Sequence, residues 1–137
     1  MSESEPVPAG PFRIQEEQAG PYATVLAIHG DADMRVASAL KDRLAVAIDD
    51  DELSTLVLDL SATTFVDSMV LGVFLGAMKR LRSRGGSFRV VVPHGDTRRV
   101  FEMTLLDRVF EIDESRGDAL ATIATRDSEA GRGGGGA

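Results

Sequence analysis

Residues 56–75, LVLDLSATTFVDSMVLGVFL, decide how the chain is read. Leu56 to Leu60 is a near-continuous apolar run of strand length, interrupted only by Asp59, which is the pattern of a strand covered on both faces and therefore central in a sheet. A short polar turn follows, and Phe65 and Val66 lead from it into Asp67 and Ser68. Asp and Ser are preferred helix caps, and Met69, Val70 and Leu71 begin an apolar helical stretch, so the spacing predicts a helix from Ser68 to about Arg84, stopped by Gly85-Gly86. Lys79, Arg80, Arg82 and Arg84 in its last two turns suit the negative end of its dipole. A serine hydroxyl at the start of such a helix sits beside unpaired backbone N–H groups and the positive dipole end, which together favour an added phosphate. Ser68 is thus either a plain cap residue or a phosphate acceptor.

Outward from this stretch, strand and helix patterns alternate, which is the signature of an α/β layer structure. Phe12 to Gln18 and Tyr22 to His29 flank Gly20-Pro21 and read as an opening β-hairpin, making the sheet mixed rather than purely parallel. Val36, Ala39, Leu40, Leu44, Ala47 and Ile48 recur at three-to-four spacing and predict a helix over 36–48 with one buried stripe. After the central helix come a strand over Phe88 to Val92, a short helix from Thr97 to about Thr104, a strand over Val109 to Ile112 and a closing helix from Asp118 to Thr125. Both ends read as tails: residues 1–11 are punctuated by Pro6, Pro8 and Pro11, and residues 126–137 are polar and finish in GGGGA. The expected organisation is one domain over 12–125 between a disordered N-terminal tail (1–11) and a flexible, Gly-rich C-terminal tail (126–137).

Composition removes several function classes. The chain has 137 residues, 43% of them hydrophobic, which is the size and apolar content of one core. Its formal charge of -7 argues against nucleic acid or anionic lipid as a partner. Without cysteine there is no disulfide framework, no thiolate nucleophile and no cysteine zinc site. The start carries Glu3 and Glu5 and no hydrophobic run, so no export signal is expected, and the apolar stretch Met69 to Met78 is far short of the about 20 residues a bilayer needs. A cytoplasmic protein off the membrane is the expectation. His29 and His94 stand far apart and read as turn residues, and the acidic run Asp49 to Glu52 reads as a solvated loop. Ser68 lacks the G-x-S-x-G elbow of a hydrolase, and no G-x-x-x-x-G-K loop for a nucleotide is present, so neither an enzyme nor a cofactor is expected.

Three segments in order carry a family likeness: GDADMRVASALKDRL from Gly30, LVLDLSATTFVDSMVLGVFLGAMKRLRSRGG from Leu56, and RRVFEMTLLDRVFEI from Arg98. Together they resemble the STAS family of the anti-sigma factor antagonist type over nearly the whole folded region. That resemblance implies a single STAS-like domain with a mixed four- to five-stranded sheet and helices packed mainly on one face. It implies a binding protein, not an enzyme, that engages an anti-sigma factor which is also a serine kinase. In the family's cycle that kinase phosphorylates the serine after the aspartate of a DS motif, here Ser68, which ends binding until a phosphatase restores it. The partner-binding positions it implies are Asp33, Thr64, Asp67, Ser68, Met69 and Val70.

The match departs from the family where DS is followed by Ser or Thr and then Gly, since Met69 and Val70 stand there instead. These two either crowd the approach to Ser68 or form a small apolar patch for a dedicated partner. Asp33, matched to an acidic position of the family's GELD-like segment, either adds repulsion to a phosphate or caps the helix that follows it. Two other functions fit the same sequence. One is a STAS subunit of a stress-sensing or lipid-transport assembly without a working phospho-switch. The other is a receiver-like phosphoacceptor in which Asp31, Asp33 and Asp59 would gather around magnesium.

Overall fold

The computed structural model describes the backbone of residues 12–135 and the side chains of residues 12–126. Strands β1 (Arg13–Gln18) and β2 (Ala23–Ala32) form the antiparallel hairpin expected around Gly20-Pro21. Helix α1 (Ala37–Ile48) follows, then β3 (Thr55–Asp59), β4 (Thr63–Val66), α2 (Ser68–Ser83), β5 (Ser87–Val91), α3 (Asp96–Met103), β6 (Glu111–Asp113) and α4 (Arg116–Gly135). The sheet runs in the order β1-β2-β3-β5-β6, with β4 attached to β2. Every pairing except β1 with β2 is parallel. The sheet is mixed as expected, but has six strands where the sequence reading allowed four or five.

Residues alternate between two cores, as the period of two in a strand requires. Leu26, Leu58 and Val90 lie in register across β2, β3 and β5. They face one layer with Leu40 and Leu44 of α1, Phe74 and Leu81 of α2 and Phe101 of α3. Val25, Val57 and Val91 point to the other side, where Ala119 and Ile123 of α4 cover them. Three helices therefore share one face and α4 closes the second. All five residues of β3 are buried, which confirms its central place.

The second face also holds charge. Arg89 binds Asp113 with Nε–Oδ2 at 2.8 Å and Glu111 with Nη1–Oε1 at 3.0 Å, while Arg116, first residue of α4, binds Asp59 with Nε–Oδ2 at 2.8 Å. The Asp113 carboxylate, hydrogen-bonded to the guanidinium, raises the Arg89 pKa against the opposing effect of burial. Burial alone would raise the pKa of Asp59, yet hydrogen bonds from the Ser61 hydroxyl and amide and from Arg116 outweigh it, so the carboxyl is held below its usual value. The single acid inside the central strand is thus the anchor for the closing helix.

Several boundaries differ from the sequence reading, among them β2, which runs on to Ala32 rather than ending at His29. β4 forms within what reads as a turn, because β2 bends at Gly30 (φ 89°), where its register shifts and it changes neighbour from β3 to β4. The last strand starts at Glu111 rather than Val109, since a single 3-10 turn, Leu106–Arg108, comes first. The closing helix starts at Arg116 and continues past Thr125 to Gly135. The tail expected at 1–11 lies outside the described residues, as do Gly136 and Ala137 at the end of the tail expected over 126–137. His29 is a strand residue rather than a turn residue, with Nε2 2.9 Å from the Gln15 amide oxygen across the hairpin.

Candidate functional site

The site is built by the short β2–β4 ladder. Ala32 and Val66 are partners in it, and the Asp67 amide donates to the Ala32 carbonyl at 3.2 Å, so the chain segments that follow, Asp33 onward and Asp67 onward, leave the sheet side by side. Parallel pairing puts the carboxyl ends of both strands at one rim, the usual place for function in an open α/β sheet. Asp33, Thr64, Asp67, Ser68 and Met69 gather there although up to 36 positions separate them in sequence.

Asp67 is the N-cap of α2. Its backbone is extended (φ -100°, ψ 176°) and its Oδ1 accepts a hydrogen bond from the Val70 amide at 3.0 Å. Its own carbonyl accepts from Leu71 at 3.0 Å. The cap role therefore falls to Asp67, which leaves the Ser68 hydroxyl without it. Ser68 is exposed, is the first residue of the helix, and makes no side-chain hydrogen bond to another described residue. The amides of Ser68 and Met69 belong to the unpaired first turn. The hydroxyl is free to react, and N–H donors and the helix dipole lie beside it.

Met69 and Val70 part company. Met69 is 52% exposed, whereas Val70 is wholly buried against the core of the first face. The expected apolar pair is corrected accordingly: a helix turns 100° per residue, and only Met69 reaches the surface. Val70 neither lines a partner surface nor crowds Ser68. Met34 (64% exposed) and Phe65 (50% exposed) carry the apolar surface of this rim along with Met69, two residues the sequence reading did not select. In β4 Thr63 and Val66 are buried while Thr64 and Phe65 are exposed, a pattern that departs from strict strand alternation, so no period-two signal in the sequence could have marked Phe65 as a surface residue.

Asp33 does not cap α1. Its Oδ1 accepts from the Arg35 amide at 2.9 Å, closing a turn ahead of the helix, and its carboxylate takes a bidentate pair with the Arg35 guanidinium, Nη2–Oδ2 at 2.7 Å. The side-chain and backbone hydrogen bonds from Arg35 hold its pKa below the ordinary carboxylate value. The Thr64 hydroxyl donates to Asp31 across the ladder. The three aspartates of the magnesium alternative are thus engaged separately, Asp31 by Thr64, Asp33 by Arg35 and Asp59 by Arg116 and Ser61. Among the described residues no group of three or more acidic, histidine or cysteine side chains converges on a metal position. No helix of the described residues is long and apolar enough to cross a membrane.

Comparison with known proteins fits this geometry. A family model described as the STAS domain matches residues 14–119. The chain is 30% identical over 99 residues to the anti-sigma-F factor antagonist RsfB of Mycobacterium tuberculosis, covering 72% of this chain and 80% of that protein. A Thermotoga neapolitana relative is 35% identical over 71 residues, 52% of this chain, and the match spans 63% of its length. The crystal structure of an anti-sigma factor antagonist from Mycobacterium paratuberculosis superposes with a TM-score of 0.76 at 29% identity, covering 83% of this chain and 95% of that one.

Proposed function

The chain belongs to the STAS domain family, and on that premise we propose that it is an anti-sigma factor antagonist, a binding protein without catalysis of its own. Its 12–125 body docks on an anti-sigma factor through the rim formed by Asp33, Thr64, Asp67, Ser68 and Met69, and so releases a sigma factor in the cytoplasm. The names of its relatives support the partner: RsfB is named as antagonist of an anti-sigma-F factor.

The observation that carries the switch is the exposed, unbonded Ser68 hydroxyl at the first residue of α2, with its neighbour Asp67 already serving as cap. The anti-sigma factor acts as a serine kinase on that hydroxyl and a phosphatase reverses the step. Phosphorylation adds about -1.5 to -2 charges to a rim that otherwise exposes the Ser68 hydroxyl beside the apolar side chains of Met34, Phe65 and Met69. Asp67 next to it and Asp33 on the adjoining segment reinforce that charge, while the free first-turn amides accommodate it within the domain. Docking ends because the surface changes, with the fold intact.

The test uses purified chain with its cognate anti-sigma factor and ATP. Mass spectrometry is expected to place one phosphate on Ser68 and none on Ser68→Ala, and Ser68→Asp is expected to bind the anti-sigma factor at least about tenfold more weakly, the effect of one unfavourable charge contact at an interface. An unmodified Ser68 together with equal binding by the acidic variant refutes the switch.

A further inference from the structure

Helices α1 and α2 pack side by side and leave between them an apolar trough of about 450 Å3. Leu44 and Ile48 line it from α1, and Met69, Gly72, Val73 and Gly76 from α2. The α2 residues recur at three-to-four spacing and so form one continuous stripe, which begins at Met69 beside Ser68 and ends at Arg80, eleven residues and about 16 Å further on. Arg80 pairs with Asp49 just past the end of α1, closing the far end of the trough.

Gly72 and Gly76 have no intramolecular reason to be glycine. Neither is among the glycines with positive φ, and a Cβ built on either meets no atom within 4 Å. Glycine inside a helix weakens it relative to alanine, and here two occur one turn apart on the face that opens into the trough. What they permit is close approach of another backbone. Lys41 stands on the trough's α1 side and makes no ion pair with any described residue. In a chain of net charge -7 this unpaired cation marks a place where an acidic group is welcome.

We propose that this trough receives an amphipathic helix of the protein partner, about three turns long, with an apolar inner face packed over Gly72 and Gly76 and a carboxylate opposite Lys41. The inference rests on the reading of the Ser68 rim as the docking face, with which the trough is continuous through Met69. A helix is the occupant favoured over an acyl chain because the trough is only half enclosed, whereas a small amphiphile requires a site that encloses most of its surface.

The probe is the anti-sigma factor that wild-type protein captures and mass spectrometry identifies, purified and titrated by calorimetry into wild type, Ser68→Asp, Gly76→Leu and Lys41→Glu. Gly76→Leu fills the trough and is expected to weaken binding at least about tenfold, and Lys41→Glu to weaken it by a similar factor that shrinks as salt is added. The double variant Gly72→Ala/Gly76→Ala serves as the folding control and is expected to melt above wild type, since both methyl groups enter open space. In wild type, the amide resonances of Gly72 and Gly76 shift when the anti-sigma factor is added. Binding weakened by Ser68→Asp but untouched by Gly76→Leu and Lys41→Glu overturns the trough alone. Failure of wild type to capture any anti-sigma factor overturns the antagonist reading and the trough with it. Glycine shifts produced by dodecanoate but not by the anti-sigma factor, or by raising the concentration of the free chain, overturn it in favour of an amphiphile or a second copy.

Discussion

Replacing Asp67 separates its structural part from its functional one. Its Oδ1 accepts from the Val70 amide at 3.0 Å, and its charge sits at the positive end of the 16-residue helix α2. Loss of an Asp cap to alanine costs about 1 kcal/mol, and loss of a carboxylate from a helix N-terminus about another 0.5 kcal/mol. Asp67→Ala is therefore expected to lose about 1.5 kcal/mol of folding stability. Asn accepts the same hydrogen bond, so Asp67→Asn is expected to lose only about 0.5 kcal/mol, the charge part alone. Equilibrium urea unfolding followed by far-ultraviolet circular dichroism reads both. With a denaturant slope of about 2 kcal/mol per molar, the midpoint falls by about 0.7 M for alanine and about 0.2 M for asparagine. Equal losses in the two variants would show that charge, not the hydrogen bond, holds the helix start; no loss in either would refute the cap altogether. Because Asp67→Asn remains folded, any larger fall in its affinity for the anti-sigma factor reports direct contact with the partner.

The Asp59–Arg116 pair gives a pH dependence of defined sign. A folded-state pKa held below the unfolded value of about 3.9 contributes stability above that pH and loses it as the pH falls through the folded value. Wild type is accordingly expected to exceed Asp59→Asn in urea midpoint at pH 7 and at pH 5, with the gap closing below about pH 4; a gap that acid leaves unchanged would break the link between this carboxylate and α4. Gly86→Ala puts a Cβ 2.5 Å from Cδ1 and 2.7 Å from Cγ of Leu81, which is fully buried and cannot move aside, so a loss of about 2 kcal/mol is expected. Gly76→Ala, with open space around its new methyl, is expected to gain about 0.5–1 kcal/mol. Thermal melts of the two variants should move in opposite directions, and a shift of both the same way would contradict the packing at the end of α2.

What the sequence made legible followed from burial and caps. The five buried residues of β3 and the periodic stripe of α1 fixed the central strand and its neighbour helix, because a position covered on both faces admits little but apolar side chains. Asp67-Ser68 could be placed at a helix start from residue preference alone. Two things stayed hidden because they depend on pairing across the fold. Strand β4 exists through its ladder with β2 beyond the bend at Gly30, and four residues of which two are threonines carry too weak a pattern to announce it. The division of labour between Met69 and Val70 depends on the rotation of α2 against the sheet, which neighbouring positions in a sequence do not reveal. The role of Asp59 was equally out of reach, since its partner Arg116 lies 57 residues away.

The same rotation explains how a substitution in the DS motif leaves a docking surface possible. Where a small residue at position 70 would leave room at the start of α2, Val70 instead fills the first-face core and fixes the first turn from below. Asp67 fixes that turn from its end by capping the Val70 amide, so one residue is held by both its side chain and its backbone. Ser68 and Met69, lying between these two anchors, are thereby presented outward on a stiff turn. A rigid presentation lowers the ordering cost a partner meets on binding. It also means that, under the proposed switch, charge added at Ser68 would have no loop into which to retreat, because Ser68 is the first residue of the helix and not part of a loop. Burial of Val70 and exposure of Ser68 are thus two results of one helix orientation, and in the proposed switch the firmness of the core beneath the rim is what would keep a phosphate on Ser68 in the partner's way.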